Sequence, residues 1–441
     1  HWDLFLMDLA SGDLTQLTVT PEYDGAPSWS PDGSFLAYES YRDENLEIIV
    51  GPAADPANDA IRLTASPAAD HSPAWAPGGR QIAFISNGDV ILADLDRPDD
   101  SRFQNLTNSP LASESHPVWS PDGSRLAWAM QSQSIGRSGI YVWDAERQLP
   151  AQWIGDGDLP AWNAAGDQII TIVPAPNTNF LTTYSVDGTT LQPLTPFPYQ
   201  VGSLAWVDGT LPTPLPGMFE QAAQFTPAPL WAASGNPIGE GAAGRWSLVE
   251  LTDVQAPYPQ LHDLADEAFN ALRERLLWEA GWDALGTLEN AFVPLTSDLD
   301  PGFGESWMYT GRAFAVNSLM TNAGWMVAVR EDFGAQTYWR LYLRAQAQDG
   351  TLGIPLHNPP WDLRARYNLD PQAYEQGGTF SEVPPGYWVD VTSLAVQYGW
   401  ERVPALPNWR TFFRGARFTE FVLTGGLDWY TAMLQLYPAD I

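Results

Sequence analysis

The segment Pro27-Ser28-Trp29-Ser30-Pro31-Asp32-Gly33 decides the fold, because it recurs along the first half of the chain. Close copies stand at residues 73–79 and 117–123, and weaker copies at 160–166 and 204–209. The Trp of each copy follows the previous Trp by 46, 44, 43 and 44 residues. A period of this length is typical of a propeller blade made of four antiparallel strands.

The residues around each copy also fit a blade. In Ser30-Pro31-Asp32-Gly33, the proline presets φ and the glycine accepts a positive φ, so the segment predicts a tight turn. A short apolar strand follows, as in Phe35-Leu36-Ala37-Tyr38, and four of the units end on a Leu-Thr pair such as Leu17-Thr18. A single sheet of this kind cannot bury both of its faces, so we expect the units to stack around an axis.

These repeats resemble the TolB-like β-propeller family, whose hallmark is the Trp-Ser-Pro-Asp-Gly turn followed by such a strand. The resemblance covers about residues 1–212 and implies an all-β propeller. It implies no particular activity, because propellers of this kind mostly bind proteins or ligands and some are only spacers. The resemblance also implies export, to a secreted, periplasmic or cell-surface location. The Trp positions predict five blades, with residues 2–8 and a strand at Trp206 completing one blade between them; six blades, which are frequent in the family, remain open.

A second domain is predicted after the repeats, so the chain is expected to be multidomain. Residues 213–257 are rich in Pro, Gly and Ala and predict a linker that adds a strand to one of its neighbours. Residues 258–441 predict an α+β domain, with an amphipathic helix from Leu261 and a hairpin that turns at Asp332-Phe333-Gly334. The chain begins with His1-Trp2 instead of Met, and we expect that a targeting segment has been removed.

Part of the second domain resembles the zinc D-alanyl-D-alanine carboxypeptidase (Hedgehog-like) fold. That family carries the motif Ser-x-His-x-x-Gly-x-Ala-x-Asp, and Ser306, Gly311 and Ala313 match it. If the match is coincidental, the family predicts nothing for this domain.

The metal ligands of the resembled family are all replaced. Its His and Asp fall on Met308 and Ala315, and the ligand of its closing His-x-Glu falls on Phe418, two residues before Glu420. Side chains of Met, Ala and Phe do not provide the nitrogen, oxygen and thiolate ligands that zinc takes in proteins. The resemblance therefore implies a degenerate peptidase that holds no catalytic metal.

Composition excludes several other classes of function. The chain has 53 acidic and 21 basic residues, all of the latter Arg, and its net charge of −32 disfavours nucleic acid and anionic membranes as partners. No apolar run is long enough for membrane insertion. There is no Cys, and the five His are widely spaced, so we predict no metal site of the usual spacing. Calcium is the one cofactor suggested, by the acidic surface and by Asp298-Leu299-Asp300, which lacks the full twelve-residue loop pattern.

No complete catalytic constellation is present, and Glu420 is the single catalytic candidate. The domain instead has many aromatic residues in segments with Pro and Gly, and we predict that Trp307, Tyr309, Trp361 and Trp409 form a platform for a sugar, a peptide or a neighbouring subunit. Arg312 would donate to a carboxylate of such a ligand.

Two hypotheses on function follow. The first is an exported, non-enzymatic binding or structural protein that recognises a protein or a cell-wall or glycan ligand. One form of it is self-assembly into a surface layer or filament. The alternative is a cell-wall peptide or glycan hydrolase that uses carboxylates of the second domain.

Overall fold

The computed structural model describes most of the chain. The described residues are 2–98, 101–110, 112–132, 137–197, 201–210, 212–214, 216–217, 230–235, 246–297, 302 and 304–438. The chain divides into two compact units, His1–Thr226 and Pro227–Ile441. This division falls within the predicted linker, and the predicted boundaries at 212 and 257 remain predictions. No described helix is both long and apolar enough to cross a membrane.

The first unit contains four antiparallel sheets of four strands each, which we call blades 1 to 4. The first strands of consecutive blades contact one another, as expected for sheets stacked around an axis. The blades consist of Asp24–Trp29, Phe35–Arg42, Asn45–Pro52 and Ile61–Arg62; Asp70–Trp75, Gln81–Ser86, Asp89–Asp94 and Phe103–Asn105; Ala112–Trp119, Arg125–Ser132, Gly139–Asp144 and Gln152–Gly155; and Asp158–Trp162, Gln168–Ala175, Thr178–Ser185 and Thr190–Pro196.

The predicted turn is present in each blade, closed by a backbone hydrogen bond, and in blades 1, 3 and 4 side chains stabilise it further. In blade 1, Asp32 Oδ1 accepts hydrogen bonds from Ser30 Oγ at 2.7 Å and from the backbone N–H of Ser34 at 3.0 Å. The turn closes with a hydrogen bond from the N–H of Gly33 to the carbonyl of Ser30 at 2.9 Å. Gly33 has φ +70°, which explains why glycine is repeated at this position.

Two of the repeated Trp residues connect neighbouring blades through their indole N–H groups. Trp119 Nε1 donates to the carbonyl of Ala74 in the preceding blade at 3.2 Å, and Trp162 Nε1 donates to that of Val118 at 3.1 Å. Both indoles are largely buried, at 7% and 4% exposure. The framework role predicted for these residues therefore has a specific physical basis, a hydrogen bond from one sheet to the next.

The predicted fifth blade is not formed, which corrects the prediction of five blades with six open. Strands Phe5–Met7 and Leu14–Gln16 form a two-stranded sheet, the half-blade, and residues 201–210 contain no strand. The physical reason lies after Trp206, where Pro212 and Pro214 replace the apolar second strand and provide no N–H for a ladder. The described residues thus hold four complete blades and one half-blade.

The second unit combines short helices with antiparallel sheets, and its helical part is small. Strands Leu288–Asn290, Ala313–Val316, Glu420–Val422 and Glu401–Arg402 form one sheet; Met326–Phe333, Gln336–Arg344, Tyr387–Asp390 and Ile354–Pro355 form another; and Leu248–Glu250 with Gln260–His262 and Trp361–Asp362 with Thr379–Phe380 form two pairs. The helices are Asp266–Ala280, Leu319–Asn322, Pro371–Gln376, Val391–Gln397 and Trp429–Leu436, with 3₁₀ turns at Trp307–Thr310, Ala365–Tyr367 and Phe413–Ala416.

An aromatic cluster lies at the centre of this unit. The ring of Phe314 lies 5.2 Å from that of Phe269, 4.7 Å from Trp400 and 5.4 Å from Phe421, measured between centroids. Phe269 belongs to the buried face of the longest helix. The cluster therefore fixes that helix against the sheet whose strands carry Phe314 and Phe421.

The hairpin prediction is confirmed, whereas the predicted start of the long helix is wrong. Met326–Phe333 and Gln336–Arg344 pair on either side of Gly334. The helix begins at Asp266 instead of Leu261, because residues Gln260–His262 pair as a strand with Leu248–Glu250.

Replacing Trp119 by Phe should remove one hydrogen bond between blades and destabilise the first unit by about 1 kcal/mol. Replacement by Ala should cost ~3–5 kcal/mol, because a buried ring is lost as well. Hydrogen exchange of peptides from blades 2 and 3 in the full chain measures the opening free energy of this unit alone. Trp206→Phe is the matched control and should change it by less than about 0.5 kcal/mol; an effect as large as that of Trp119→Phe would place Trp206 in a blade.

Candidate functional site

A cavity of about 420 Å³ in the second unit contains the positions that the sequence singled out in the peptidase-like motif. We call it the Glu420 cavity. Met308, Ala315 and Phe418, the three substituted ligand positions, all line it, and Ser306 and Glu420 do so as well. Residues more than 100 positions apart in the sequence thus come together at one place.

Two strands and one turn position these side chains. Ala313–Val316 and Glu420–Val422 are adjacent antiparallel strands in which Ala315 lies opposite Glu420. The turn Trp307–Thr310 is capped by Ser306, whose Oγ accepts the N–H of Met308 at 3.2 Å. Because this hydroxyl serves as a cap, its role is to fix the turn that carries Met308.

The residues present do not fit a zinc ion. Met308, Ala315 and Phe418 are 4%, 4% and 7% exposed, and Met308 and Ala315 pack in an apolar cluster with Val293 and Val403. No His lines the cavity among the described residues. The three positions that correspond to metal ligands in the resembled family are therefore occupied by apolar side chains, which do not ligate zinc.

The main polar feature of the cavity is an ion pair between Arg417 and Glu420. Nη2 and Nε of Arg417 lie 2.9 and 3.0 Å from Glu420 Oε2. Burial raises the pKa of the Glu420 carboxyl, the Arg417 charge opposes this rise, and the charge of Glu289 adds to it. A buried carboxyl with a raised pKa, beside a cavity, is typical of a functional group.

Further charged groups of both signs line the same cavity. Glu289 and Arg414 are among the lining residues, and Glu289 Oε2 accepts the N–H of Ser318 at 3.3 Å. The cavity lining thus includes two carboxylates and two guanidinium groups, together with the apolar side chains of Met308, Ala315 and Phe418. Sequence analysis missed Glu289, Arg414 and Arg417; only the Arg417-x-x-Glu420 spacing gave a signal for an ion pair.

A second cavity of about 520 Å³, the Trp361 cavity, adjoins the first. Phe413 and Phe418 line both cavities, and their rings meet edge to face with centroids 5.9 Å apart. Trp361, Arg364 and Tyr367 also line the second cavity. The two cavities are therefore separated by a wall of two phenyl rings.

The predicted aromatic platform is not formed, which corrects the prediction for two of its members. Trp361 and Trp409 are each only 4% exposed, and the guanidinium of Arg330 lies 4.8 and 5.3 Å from their ring centroids. These rings stack on a buried cation and present no broad face to solvent. The sequence predicted exposure because both Trp residues lie in segments with Pro and Gly, which are typical of surface loops.

The other predicted residues also have structural partners. Trp307 and Tyr309 are half-buried against the apolar cluster of Met308, and the hydroxyl of Tyr309 donates to the carbonyl of Ser297 at 3.3 Å. Neither of them lines the Glu420 cavity.

Arg312 does not present its guanidinium to a ligand. It is 3% exposed and donates to Gln435 Oε1 at 3.1 and 2.8 Å and to the carbonyl of Leu423 at 3.3 Å. Of the six predicted residues, only Glu420 lines the Glu420 cavity. The predicted calcium segment, residues 298–300, lies outside the described residues.

Comparison with known proteins bears on the first unit. Residues 1–206 match the family model of the TolB beta propeller domain, which confirms the propeller repeats. No curated protein matches the sequence. The match ends before the second unit, so the peptidase resemblance remains a prediction.

Solved structures with partial similarity include TolB from Acinetobacter baumannii, 20% identical over 47% of this chain and 52% of that chain, with a TM-score of 0.38. An oligogalacturonate lyase in complex with manganese is 14% identical over 43% of this chain and 59% of that chain, with a TM-score of 0.35. A putative TolB from Agrobacterium tumefaciens is 17% identical over 42% and 83% of the two chains, with a TM-score of 0.30. The chain thus spans little more than half the length of the first two.

If the peptidase resemblance is real, restoring the ligands should create a zinc site. The variant Met308→His, Ala315→Asp and Phe418→His should bind zinc stoichiometrically at micromolar concentration, because three ligands of the preferred types would line one cavity. Isothermal titration calorimetry measures this, and circular dichroism verifies folding. The double variant without Phe418→His is the control. A folded triple variant with no more affinity than wild type would show that the resemblance is coincidental.

Proposed function

We propose that the chain is an exported, non-enzymatic binding protein whose Glu420 cavity takes up a fragment of cell-wall peptide or glycan. The observation that carries the proposal is the composition of this cavity. The cavity has a volume of about 420 Å³ and is lined by charged groups of both signs, while apolar side chains occupy the positions of the metal ligands in the resembled peptidases. Export is part of the proposal and is motivated by the resemblance of the repeats to TolB-like propellers.

The dimensions and charges of the cavity support a small polar ligand. Its volume of about 420 Å³ falls in the range of ligand sites. Arg414 and Arg417 suit an acidic group, while Glu289 and Glu420 suit an amine or hydroxyl groups. A peptide or amino-sugar fragment carries both kinds of group, so it would find a partner for each.

The first unit would provide a second binding surface. Propellers mostly act as rigid binding discs, and function is decided by the sites they carry. In this chain the half-blade and the segment before it expose apolar side chains, with Trp2, Phe5 and Leu14 at 56%, 57% and 57% exposure. Self-association through such residues, with calcium screening the net charge of −32, is the structural form of the proposal.

One observation favours a second candidate, hydrolysis of the same ligand. The raised pKa of Glu420 is what a general acid needs, and the nearby Glu289 would then serve as the second carboxylate. Under this alternative, Glu420 donates a proton to the leaving group. The two candidates predict different behaviour towards the same wall material.

The test is to incubate the purified protein with peptidoglycan sacculi, sediment them, and analyse both fractions. We expect wild type in the pellet, with no soluble fragments. Glu420→Gln preserves shape but removes the charge, and should weaken binding about tenfold, the effect of one hydrogen bond to a charged group. Glu382→Gln, an exposed carboxylate of the same unit, is the matched control and should bind as wild type does.

Each other outcome has a definite meaning. Soluble fragments that disappear with Glu420→Gln would establish the hydrolase. Protein that stays in the supernatant would refute wall binding altogether, and analytical ultracentrifugation would then test self-association alone.

A further inference from the structure

Three consecutive junctions in the first unit repeat one polar cluster, in which a threonine stands between two acidic residues. In each, the threonine is that of the repeated Leu-Thr pair, and its Oγ1 accepts the backbone N–H of the residue after the first acid, at 2.9 or 3.0 Å. The second acid stands three residues before the proline of the repeat. The clusters are Asp3, Thr18 and Asp24 in junction 1; Glu47, Thr64 and Asp70 in junction 2; and Asp89, Thr107 and Glu114 in junction 3.

Junction 3 has fewer hydrogens than its contacts require. Ser109 Oγ lies 3.1 Å from Asp89 Oδ1 and 2.5 Å from Glu114 Oε1. Thr107 Oγ1 lies 3.4 Å from Asp89 Oδ1 and 3.3 Å from Glu114 Oε2. Each hydroxyl has one hydrogen, so two hydrogens serve four contacts with oxygens that only accept when ionised. A proton on Glu114 supplies one of the two missing donors.

In junctions 1 and 2 the second acid also lacks hydrogen-bond donors at one of its two oxygens. Asp24 and Asp70 are 2% and 1% exposed. Their Oδ2 atoms accept from Thr20 Oγ1 at 2.8 Å and from Ser66 Oγ at 3.1 Å. Their Oδ1 atoms are buried without a partner in hydrogen-bond geometry in the described part of the chain. Hydroxyls of Ser40 and Thr18 near Asp24, and of Ser86 and Thr64 near Asp70, lower the pKa of these carboxyls and so oppose the larger effect of burial. An ionised carboxylate is costly in such a place, whereas a protonated one carries no charge to desolvate.

The fourth junction shows that the cluster exists as a unit. Gly139, Gly155 and Gly157 occupy the three corresponding positions there. A Cβ atom at Gly155 would collide with the ring of Tyr184, and one at Gly157 with the side chain of Thr171. Both acids and the threonine are therefore lost together, and packing takes their place.

The charges around each second acid are few. Glu114 lies near Asp89, whose Oδ2 accepts from the amide of Asn105 at 2.8 Å. Burial raises the pKa of Glu114 to about 7, and the charge of Asp89 adds to the rise.

In junction 2, burial raises the pKa of Asp70 to about 6, and the charge of Glu47 adds to the rise. Glu47 itself is paired with Arg62 at 2.7 Å, and Arg62 also contacts Asp43. His71 follows Asp70 on the same strand, and its Nδ1 faces Ser72.

In junction 1, burial raises the pKa of Asp24 and the Arg42 charge opposes the rise. The neighbouring Tyr23 donates to Glu39 at 3.0 Å, so that pair is satisfied separately.

We propose that these junctions form a proton-operated latch, in which one proton held at each acid pair joins neighbouring blades and its release loosens them. The sign follows from linkage: a carboxyl that binds its proton more tightly when folded stabilises the fold at low pH. This stabilisation is complete below the unfolded pKa of ~4 and is lost as pH rises through about 6 at Asp70 and about 7 at Glu114. The first unit is therefore tightest in mild acid.

The test follows hydrogen exchange of the full chain between pH 5 and pH 8.5, corrected for the intrinsic rate and resolved to peptides of blades 1 to 3. Protection in wild type should fall by at least about tenfold over this range, one pKa unit being a factor of ten. In Asp70→Asn and Glu114→Gln, an uncharged amide replaces the protonated carboxyl as hydrogen-bond donor and cannot lose its proton. Each variant should therefore remove the pH dependence of protection at its own junction. Asp122→Asn, an exposed turn carboxyl whose pKa the serines around it lower to about 2, is the matched control and should keep the wild-type profile.

Two results would overturn the latch: a wild-type profile without pH dependence, or full pH dependence at junction 3 in Glu114→Gln. If these variants do not fold, infrared spectroscopy of a chain with intact junctions decides. The variant used carries Glu420→Gln and Asp266→Asn, because these two carboxyls of the second unit also have raised pKa values. A protonated-carboxyl band that is present at pH 5.5 and lost by pH 8.5 in this variant supports the latch, and its absence at pH 5.5 refutes it. Restoration of protection at pH 8 by millimolar calcium would also refute it, because the acid pairs would then be a cation site.

Discussion

The organisation of the first unit depends on a β-bulge in the first strand of every blade. A residue with positive φ, namely Ala26, Ser72, His116 or Leu159, precedes a proline in each of these strands, and the register shifts there. Proline cannot donate to the ladder, so the strand bulges and its twist increases. In junctions 1 to 3 the second acid lies directly before the bulge, and in blades 3 and 4 the Trp whose indole bonds to the preceding blade lies after it. One backbone constraint thus places both kinds of contact between blades.

The blade period and the turn could be predicted from sequence because their causes are local: proline and glycine fix the turn, and the Trp spacing fixes the length of a unit. The fifth blade failed as a prediction because it required pairing between the two ends of the repeat region. No local pattern encodes that pairing, and Pro212 and Pro214 prevent the second strand. Leu261 likewise fits a helix by its spacing, yet tertiary pairing draws it into a strand.

In the candidate site, too, some features could be predicted from sequence and others could not. Alignment to a known motif singled out Met308, Ala315, Phe418 and Glu420, and these residues do meet in one cavity. Reasoning from residue type alone placed Trp361 and Trp409 on the surface, whereas their rings stack on the buried Arg330. Aromatic density in a sequence signals burial as readily as recognition, and here the 4% exposure of both rings shows that they are buried.

The wall between the two cavities has a thermodynamic consequence. Phe413 and Phe418 line both cavities, so a displacement of either ring changes the space in both. An occupant that pushes the rings outwards from the Glu420 cavity shrinks the Trp361 cavity, and the reverse holds to the same degree, because coupling between two binding equilibria is reciprocal. Two occupants would compete at a distance, without touching the same atoms.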